Sequence, residues 1–202
     1  MPTPESRRPT PQRLLDAAEK LMRTTGLAGA TTKAIAREAG CSEAALYKYF
    51  TNKEELFVRV LTERSPSAAA LMRELTPGAG EGRSVEEHLT DIARYASEFY
   101  ADGMPMAGSL FAAPALLERH RAGIRQLGKG PHVILYALAD CLREDRERGR
   151  IRADADPDAA AALLLGACFQ RAFFLHFSGP EVVTPVDEFA PSVARTVWVA
   201  VS

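Results

Sequence analysis

Residues 31–57 carry hydroxyl, phenol and ammonium groups at spacings that could contact a nucleic acid. The segment reads TTKAIAREAGCSEAALYKYFTNKEELF. Its threonines, tyrosines and lysines can donate hydrogen bonds to phosphate oxygens. Lys53, in the first turn of a predicted helix, would add a cation to a helix terminus that already attracts anions. The apolar residues between these groups repeat at helical spacing, which predicts polar groups on the outer side of packed helices.

Two short helices joined by a tight turn would position these groups. Ile35 and Ala36 are expected to be buried in the first helix, and Leu46 and Phe50 in the second. Gly40 lies in the turn, where a positive φ is needed and a Cβ would be penalised. This is the layout of a helix-turn-helix, whose second helix enters the major groove of DNA.

Capping residues and glycines predict where the neighbouring helices begin and end. Ser42 is a suitable N-cap for the second helix, and Asn52 for the third. Glu55 follows Asn52 by three residues and completes a capping box. Upstream, an apolar stripe from Leu14 to Met22 predicts a helix that ends at Gly26.

The segment resembles the DNA-binding domain of the TetR (tetracycline-repressor) family of bacterial transcription regulators. The family pattern T-[TV]-x-x-I-A-x-x-A-G-V-S-x-G-x-L-Y-x-H-F-x-x-K-E-x-L aligns without a gap over residues 31–56. Three positions differ, because Cys41 replaces valine, Ala44 replaces glycine and Tyr49 replaces histidine. The matching residues are Thr31, Thr32, Ile35, Ala36, Ala39, Gly40, Ser42, Leu46, Tyr47, Phe50, Lys53, Glu54 and Leu56.

The resemblance implies an all-α fold with two parts. Residues 1–58 would form a three-helix helix-turn-helix DNA-binding domain, and residues 59–202 a larger helical bundle for ligand binding and dimerisation. It implies a DNA-binding transcriptional regulator. Our hypothesis is a sequence-specific repressor that releases its operator when a small, largely apolar effector binds the C-terminal domain, with activation as the open alternative. The expected DNA-binding residues are Thr31, Thr32, Lys33, Ser42, Glu43, Ala44, Tyr47, Lys48, Tyr49 and Lys53.

Several of these residues also have simpler interpretations. Tyr47 and Tyr49 could belong to the core, although at least one of the two hydroxyls is expected to reach a phosphate. Lys48 could contact DNA or merely be solvated. Glu43 could accept a hydrogen bond from cytosine N4 or only stabilise its helix N-terminus. Thr31 and Thr32 could cap a helix as well as touch phosphate. Three arginines near the N-terminus could belong to a flexible arm that reaches DNA or to a disordered tail. They are Arg7, Arg8 and Arg13.

The C-terminal part predicts a ligand cavity and a dimer interface with less specific signals. The segments Ala159–Phe177 and Val193–Trp198 are expected to pair two protomers, so that a homodimer presents two recognition helices to a pseudo-palindromic operator. Ala159–Phe177 is close to membrane-spanning length, but Gln170 and Arg171 within it favour burial in protein. Apolar side chains that could line the cavity, or simply form core, are Tyr95, Phe99, Met104, Met106, Phe111, Leu117 and Tyr136.

Prolines and caps predict further helix boundaries. Ser65-Pro66 should interrupt a helix, and Ser84 with Glu87 forms a second capping box. The segment from residue 104 to residue 120 should be broken at Pro105 and Pro114. Asp156-Pro157 should begin the long apolar helix, and the last helix should begin at Thr184-Pro185 or Ala190-Pro191.

Composition limits the remaining possibilities. The 202 residues are 47% hydrophobic and 25% charged, with a net charge of −1, which is typical of a globular protein. The first 64 residues hold 11 basic and 8 acidic side chains, and the other 138 hold 14 and 18. Three cysteines without metal spacing predict reduced thiols, and no export signal is evident, so a cytoplasmic location is expected. No catalytic set, metal site or cofactor motif is legible, which favours a non-enzyme without cofactor over an enzyme. The alternative of a helical ligand carrier is disfavoured because a carrier would not need Gly40, Ser42, Tyr47 and Lys53 in register.

Overall fold

A computed structural model describes residues 10–63, 65–128 and 130–202. Every regular element in these ranges is helical, which confirms the all-α prediction. A 3₁₀ turn at Pro180–Val182 precedes the last helix. The helices are α1 (Thr10–Gly29), α2 (Thr32–Glu38), α3 (Glu43–Leu46), α4 (Lys53–Glu63), α5 (Pro66–Glu74), α6 (Val85–Phe111), α7 (Pro114–Gln126), α8 (His132–Glu147), α9 (Pro157–Ser178) and α10 (Val186–Val201).

The chain divides into two compact units. The first contains the residues up to Ser65 together with Pro105–Gly130, and the second contains Pro66–Met104 and Pro131–Ser202. The end of α6 and all of α7 therefore belong to the same compact unit as the N-terminal helices. The functional division into residues 1–58 and 59–202 stays a prediction.

The first unit has a continuous apolar core. Helix α1 packs against α2 and α4, α2 packs against α3, and α4 packs against α7. Gly26 interrupts α1 with φ of 70°, which confirms the predicted break, and the chain resumes a helical turn up to Gly29. The buried side chains of this core include Leu14, Leu15, Met22, Ile35, Leu46, Phe50, Leu56, Phe57, Val60, Met106, Leu110 and Leu116.

Helices α4 and α7 approach closely at two positions. A Cβ added to Gly123 would lie 2.7 Å from Cβ of Glu54, so glycine is needed for this approach. One turn away, the His120 ring meets the Phe57 ring edge-on, with centroids 5.0 Å apart. His120 is buried, and its Nδ1 has no hydrogen-bond partner among the described residues. Burial lowers the pKa of His120 below 6.5, and the nearby Glu54 carboxylate opposes this shift.

We expect acid to destabilise the protein through His120. The unfolded imidazole protonates first as pH falls through 6.5, so the unfolded state binds more protons and the free energy of unfolding decreases. Urea denaturation at pH 7.5 and pH 5.0 measures the loss. His120→Phe keeps a ring against Phe57 without a titrating group and should lose less stability over this interval. Equal losses in both proteins would contradict a role for this histidine.

The second unit is a bundle in which α8 packs against α9 and α9 against α10. The capping box at its first long helix is confirmed, because Ser84 Oγ accepts from the Glu87 amide at 3.2 Å and Glu87 Oε2 accepts from the Ser84 amide at 2.8 Å. Asp156 caps α9 as predicted. The buried core includes Leu71, Leu89, Ile92, Leu138, Leu142, Leu164, Leu165, Cys168, Ala194 and Val197.

Two prolines begin helices, and two others lie inside helices. Pro66 and Pro114 begin helices as predicted, but Pro105 lies inside α6 and Pro191 inside α10. The prediction that Pro105 breaks the helix is therefore wrong, and the last helix begins after Thr184-Pro185. A proline removes one hydrogen bond from a helix interior. Burial of the side chains that follow it, such as Met106 and Leu110, offsets that loss.

Helix α9 is apolar on both of its sides. The side bearing Ala161, Leu164 and Cys168 is buried, which confirms the predicted burial for that side. The other side exposes Leu163 and four phenylalanines, so it is not covered by the chain itself. Its length and mean hydropathy of 1.5 would allow a membrane span, which is weak evidence because core helices share these properties. The exposed apolar side is a large patch for a lone chain to leave in water.

Candidate DNA interface

Side-chain caps and one glycine fix the geometry of the helix-turn-helix. Thr31 Oγ1 accepts from the Ala34 amide at 3.1 Å and begins α2. Gly40 adopts φ of 66° in the turn, as predicted. Ser42 Oγ accepts from the Ala45 amide at 3.2 Å and begins α3, which confirms its predicted role. The two caps therefore determine the residues at which α2 and α3 begin.

Helix α3 and the turn after it have a buried and an exposed side. Leu46 and Phe50 are buried in the core of the first unit, as predicted. Tyr47 and Tyr49 are 53% and 44% exposed, and Lys48 between them is also exposed. Neither tyrosine belongs to the core, so both phenol groups are available to a partner.

Thr32 and Glu43 contact each other. The Thr32 hydroxyl donates to Glu43 Oε1 at 2.5 Å, joining the first turn of α2 to the first turn of α3. Ser42 and Ala44 on either side of Glu43 are exposed. This bond joins candidates from the two helices. We call the predicted residues of this region the α2–α3 surface; all of them are exposed except Thr32, which is half-buried, and they are Thr31, Thr32, Lys33, Ser42, Glu43, Ala44, Tyr47, Lys48 and Tyr49.

Lys53 differs from the other candidates because its ammonium already has a protein partner. Lys53 Nζ donates to the Leu27 carbonyl at 2.5 Å. Burial lowers the pKa of Lys53, and the charge of Arg119 adds to this shift while Glu54 opposes it. The predicted cap of its helix is present, since Asn52 Oδ1 accepts from the Glu55 amide at 2.7 Å. A DNA contact by Lys53 stays a prediction.

One cation on the same surface escaped the sequence analysis. Arg37 is exposed and lies one helical turn after Lys33, so both belong to one side of α2. The i, i+4 spacing was the signal that could have found it. Among the described residues, neither of these side chains nor Lys48 forms an ion pair. Arg13 lies within α1, while Arg7 and Arg8 lie outside the described residues.

The comparisons with known proteins agree with this geometry. Residues 14–60 match the model of the bacterial regulatory proteins of the tetR family. YvkB of Bacillus subtilis, an uncharacterized helix-turn-helix-type transcriptional regulator, is 37% identical over 184 residues, which cover 90% of this chain and 91% of the relative.

The chain belongs to the TetR family.

Two further similarities concern part of the sequence and the fold of the whole chain. The nicotine-responsive transcriptional repressor of Paenarthrobacter nicotinovorans is 31% identical over 81 residues, which cover 40% of this chain and 42% of that protein. A Mesorhizobium loti protein assigned to the TetR family has the same fold, with a TM-score of 0.72, 21% identity and full coverage of both chains. This chain is therefore a helix-turn-helix transcriptional regulator of the TetR family.

The predicted ligand-contacting residues fall in both units of this TetR-family protein. Tyr95 and Phe99 are partly buried against the core of the second unit. Phe111 and Tyr136 are 71% and 57% exposed. Met106, Phe111 and Leu117 lie in the first unit and Tyr95, Phe99, Met104 and Tyr136 in the second. Their assignment to a cavity stays a prediction.

An aromatic cluster lies beside Phe99. The Tyr100 ring contacts Phe99 at a centroid distance of 5.5 Å and Phe169 at 5.6 Å. Burial raises the pKa of Tyr100 to about 12, and Cys168 adds to this shift. The Tyr100 phenol therefore stays protonated at neutral pH and can donate a hydrogen bond within this apolar environment.

Proposed function

We propose that the protein is a ligand-responsive repressor whose α2–α3 surface binds operator DNA. One observation carries the proposal: Tyr47, Lys48 and Tyr49 are exposed next to the buried Leu46 and Phe50. Helix α3 and the turn after it thereby present phenol and ammonium groups to solvent, while Leu46 and Phe50 anchor the segment in the core. Such groups bind phosphate oxygens and hold a recognition helix in the major groove. An enzyme or a ligand carrier would not need this arrangement.

The operator would be bound by a homodimer. The interface proposed here combines Ala159–Phe177 of α9 with Val193–Trp198 of α10, two helices that pack against each other within one chain. Exposed apolar side chains on these helices support it, because a patch of this kind is typical of an interaction site. The exposed members are Leu163, Phe169, Phe173, Phe174, Phe177 and Val199.

Release from DNA would follow the binding of a small, largely apolar effector by the C-terminal domain. The similarity to a nicotine-responsive repressor supports a small-molecule effector as a class. An effector shifts a regulator between states only through its different affinity for each of them. The residues proposed to line its site are those of the predicted set that lie in the second unit, namely Tyr95, Phe99, Met104 and Tyr136. The three free cysteines are consistent with a cytoplasmic location.

The double substitution Tyr47→Phe with Lys48→Ala tests the DNA interface. We expect operator affinity to fall about 10-fold or more, because charge-assisted hydrogen bonds to phosphate are lost. The slope of log K against log salt should also become smaller by about 2 for a dimer, since each phosphate contact contributes about 0.9. Fluorescence anisotropy over a series of salt concentrations measures both, with an operator enriched from random duplexes by the wild-type protein.

Arg152→Ala is the matched control for charge removal. Arg152 lies in the second unit and pairs only with Asp154 at 3.2 Å among the described side chains. This variant should keep both affinity and salt dependence. If the double variant keeps them as well, the α2–α3 surface does not bind the operator.

A further inference from the structure

We propose that Glu43 reads a cytosine in the major groove of each operator half-site. The inference rests on the proposed function, because it concerns the same α2–α3 surface. It assigns a sequence preference to that surface, in which a C·G base pair faces the beginning of α3. Thr32 acts as a positioning residue for the Glu43 carboxylate.

The carboxylate of Glu43 is held from outside its own helix. The Thr32 hydroxyl donates to Glu43 Oε1 at 2.5 Å, although the two residues are 11 positions apart in the chain. Thr32 is itself fixed in the first turn of α2 by the Thr31 cap. A side chain held in one orientation before binding loses less conformational freedom when it meets a base.

Capping does not explain the position of this carboxylate. Ser42 Oγ already serves the beginning of α3 by accepting from the Ala45 amide. Within the part of the chain that the structure describes, the Glu43 carboxylate accepts no backbone N–H and pairs with no cation. An ionised carboxylate has about four acceptor sites on two oxygens, and Thr32 occupies one of them. Because the Glu43 side chain is exposed, the other acceptor sites remain accessible to a partner.

Glu43 lies on the side of α3 that the proposed function turns toward DNA. The Tyr47 amide donates to the Glu43 carbonyl at 3.3 Å, so the two residues are one helical turn apart on the same side. Both side chains are exposed. A major groove that receives Tyr47 at its phosphate wall would therefore also receive the Glu43 carboxylate.

The hydrogen-bonding groups in the major groove determine which base can donate a hydrogen bond to Glu43. A carboxylate only accepts hydrogen bonds, and the major-groove donors are cytosine N4–H₂ and adenine N6–H₂. Adenine also presents N7, and guanine and thymine present acceptor oxygens, all of which repel a carboxylate. Cytosine is the base that offers a donor without an adjacent acceptor on its own edge. Repulsion from the other bases adds discrimination against them.

Selection from random DNA duplexes, followed by sequencing, tests the proposal with the full-length protein. Wild type should enrich a motif with cytosine at one position in each half-site. Glu43→Ala should reduce that preference roughly 10-fold per half-site and leave the other positions unchanged. Glu43→Gln should move the preference to adenine, because an amide can donate to N7 and accept from N6. Thr32→Val keeps the shape but removes the hydroxyl, so it should weaken the cytosine preference relative to the other positions of the motif.

Glu38→Gln is the control for lost negative charge on the same helix pair. Glu38 lies on α2 and pairs with Lys20 at 2.5 Å, so this variant should enrich the wild-type motif. An unchanged cytosine preference in Glu43→Ala overturns the inference, as does a wild-type motif without that cytosine. In both cases the wild-type protein still binds a motif, so the proposed function stands. Failure of the wild-type protein to enrich any motif would instead reject the proposed function together with the inference.

Discussion

Replacing Phe50 with alanine is expected to lower the free energy of unfolding by about 3–5 kcal/mol. Phe50 is buried in the core of the first unit, and the Arg59 guanidinium lies 4.9 Å from its ring centroid. Truncation removes a large buried side chain, leaves a cavity and removes the surface that Arg59 covers. Because whole proteins are stable by only about 5–15 kcal/mol, this loss is large. Urea denaturation followed by circular dichroism measures it.

Tyr49→Ala is the control for this prediction. Tyr49 directly precedes Phe50 but is 44% exposed, so its truncation should change the free energy of unfolding by about 0.5 kcal/mol or less. Tyr47→Ala should show the opposite pattern to Phe50→Ala: its affinity for the operator should fall, and its free energy of unfolding should stay unchanged. If the Phe50→Ala protein is as stable as wild type, the Phe50 side chain does not contribute to the core of the first unit.

The double substitution Phe173→Asp with Phe177→Asp is expected to convert the proposed dimer to a monomer. The two rings stack with centroids 5.1 Å apart, and Phe177 is 78% exposed. Charges in a buried apolar interface carry a large desolvation cost. Two linked half-site contacts would then become independent, and operator affinity should fall about 100-fold or more. Sedimentation velocity and anisotropy titration measure the two effects.

Phe111→Asp is the matched control, since Phe111 is a similarly exposed phenylalanine in the first unit at 71%. It should remain dimeric. Trp198 is a poorer probe of the interface, because it packs partly against the core and its replacement would also destabilise the second unit. If the α9 variant sediments as a dimer, the proposed interface is wrong.

Local signals in the sequence were sufficient for the helix-turn-helix. Gly40, Ser42 and Asn52 determine a turn and two caps through contacts with residues at most three positions away, and the structure has all three. Their effects depend on backbone sterics and on orphan amides at helix starts, which neighbouring residues alone decide. The buried positions Leu46 and Phe50 followed from helical spacing.

Contacts between distant residues could not be predicted in the same way. The Lys53 ammonium meets the Leu27 carbonyl only because α4 packs against α1. The bond between Thr32 and Glu43 likewise depends on the crossing of α2 and α3. Pro105 shows the same limit, since its effect on α6 depends on how well the following side chains are packed. Composition also could not say which apolar side of α9 the chain leaves uncovered.

The composite origin of the first unit has a consequence for protein engineering. The side chains of Met106, Leu110 and Leu116 complete its core, although they come from a segment that starts 40 residues after Ser65. A fragment excised after Ser65 would lose these partners and expose apolar surface of α1 and α4 to water. Chimeras that transplant only the N-terminal piece onto another scaffold would therefore need a substitute for residues 105–130.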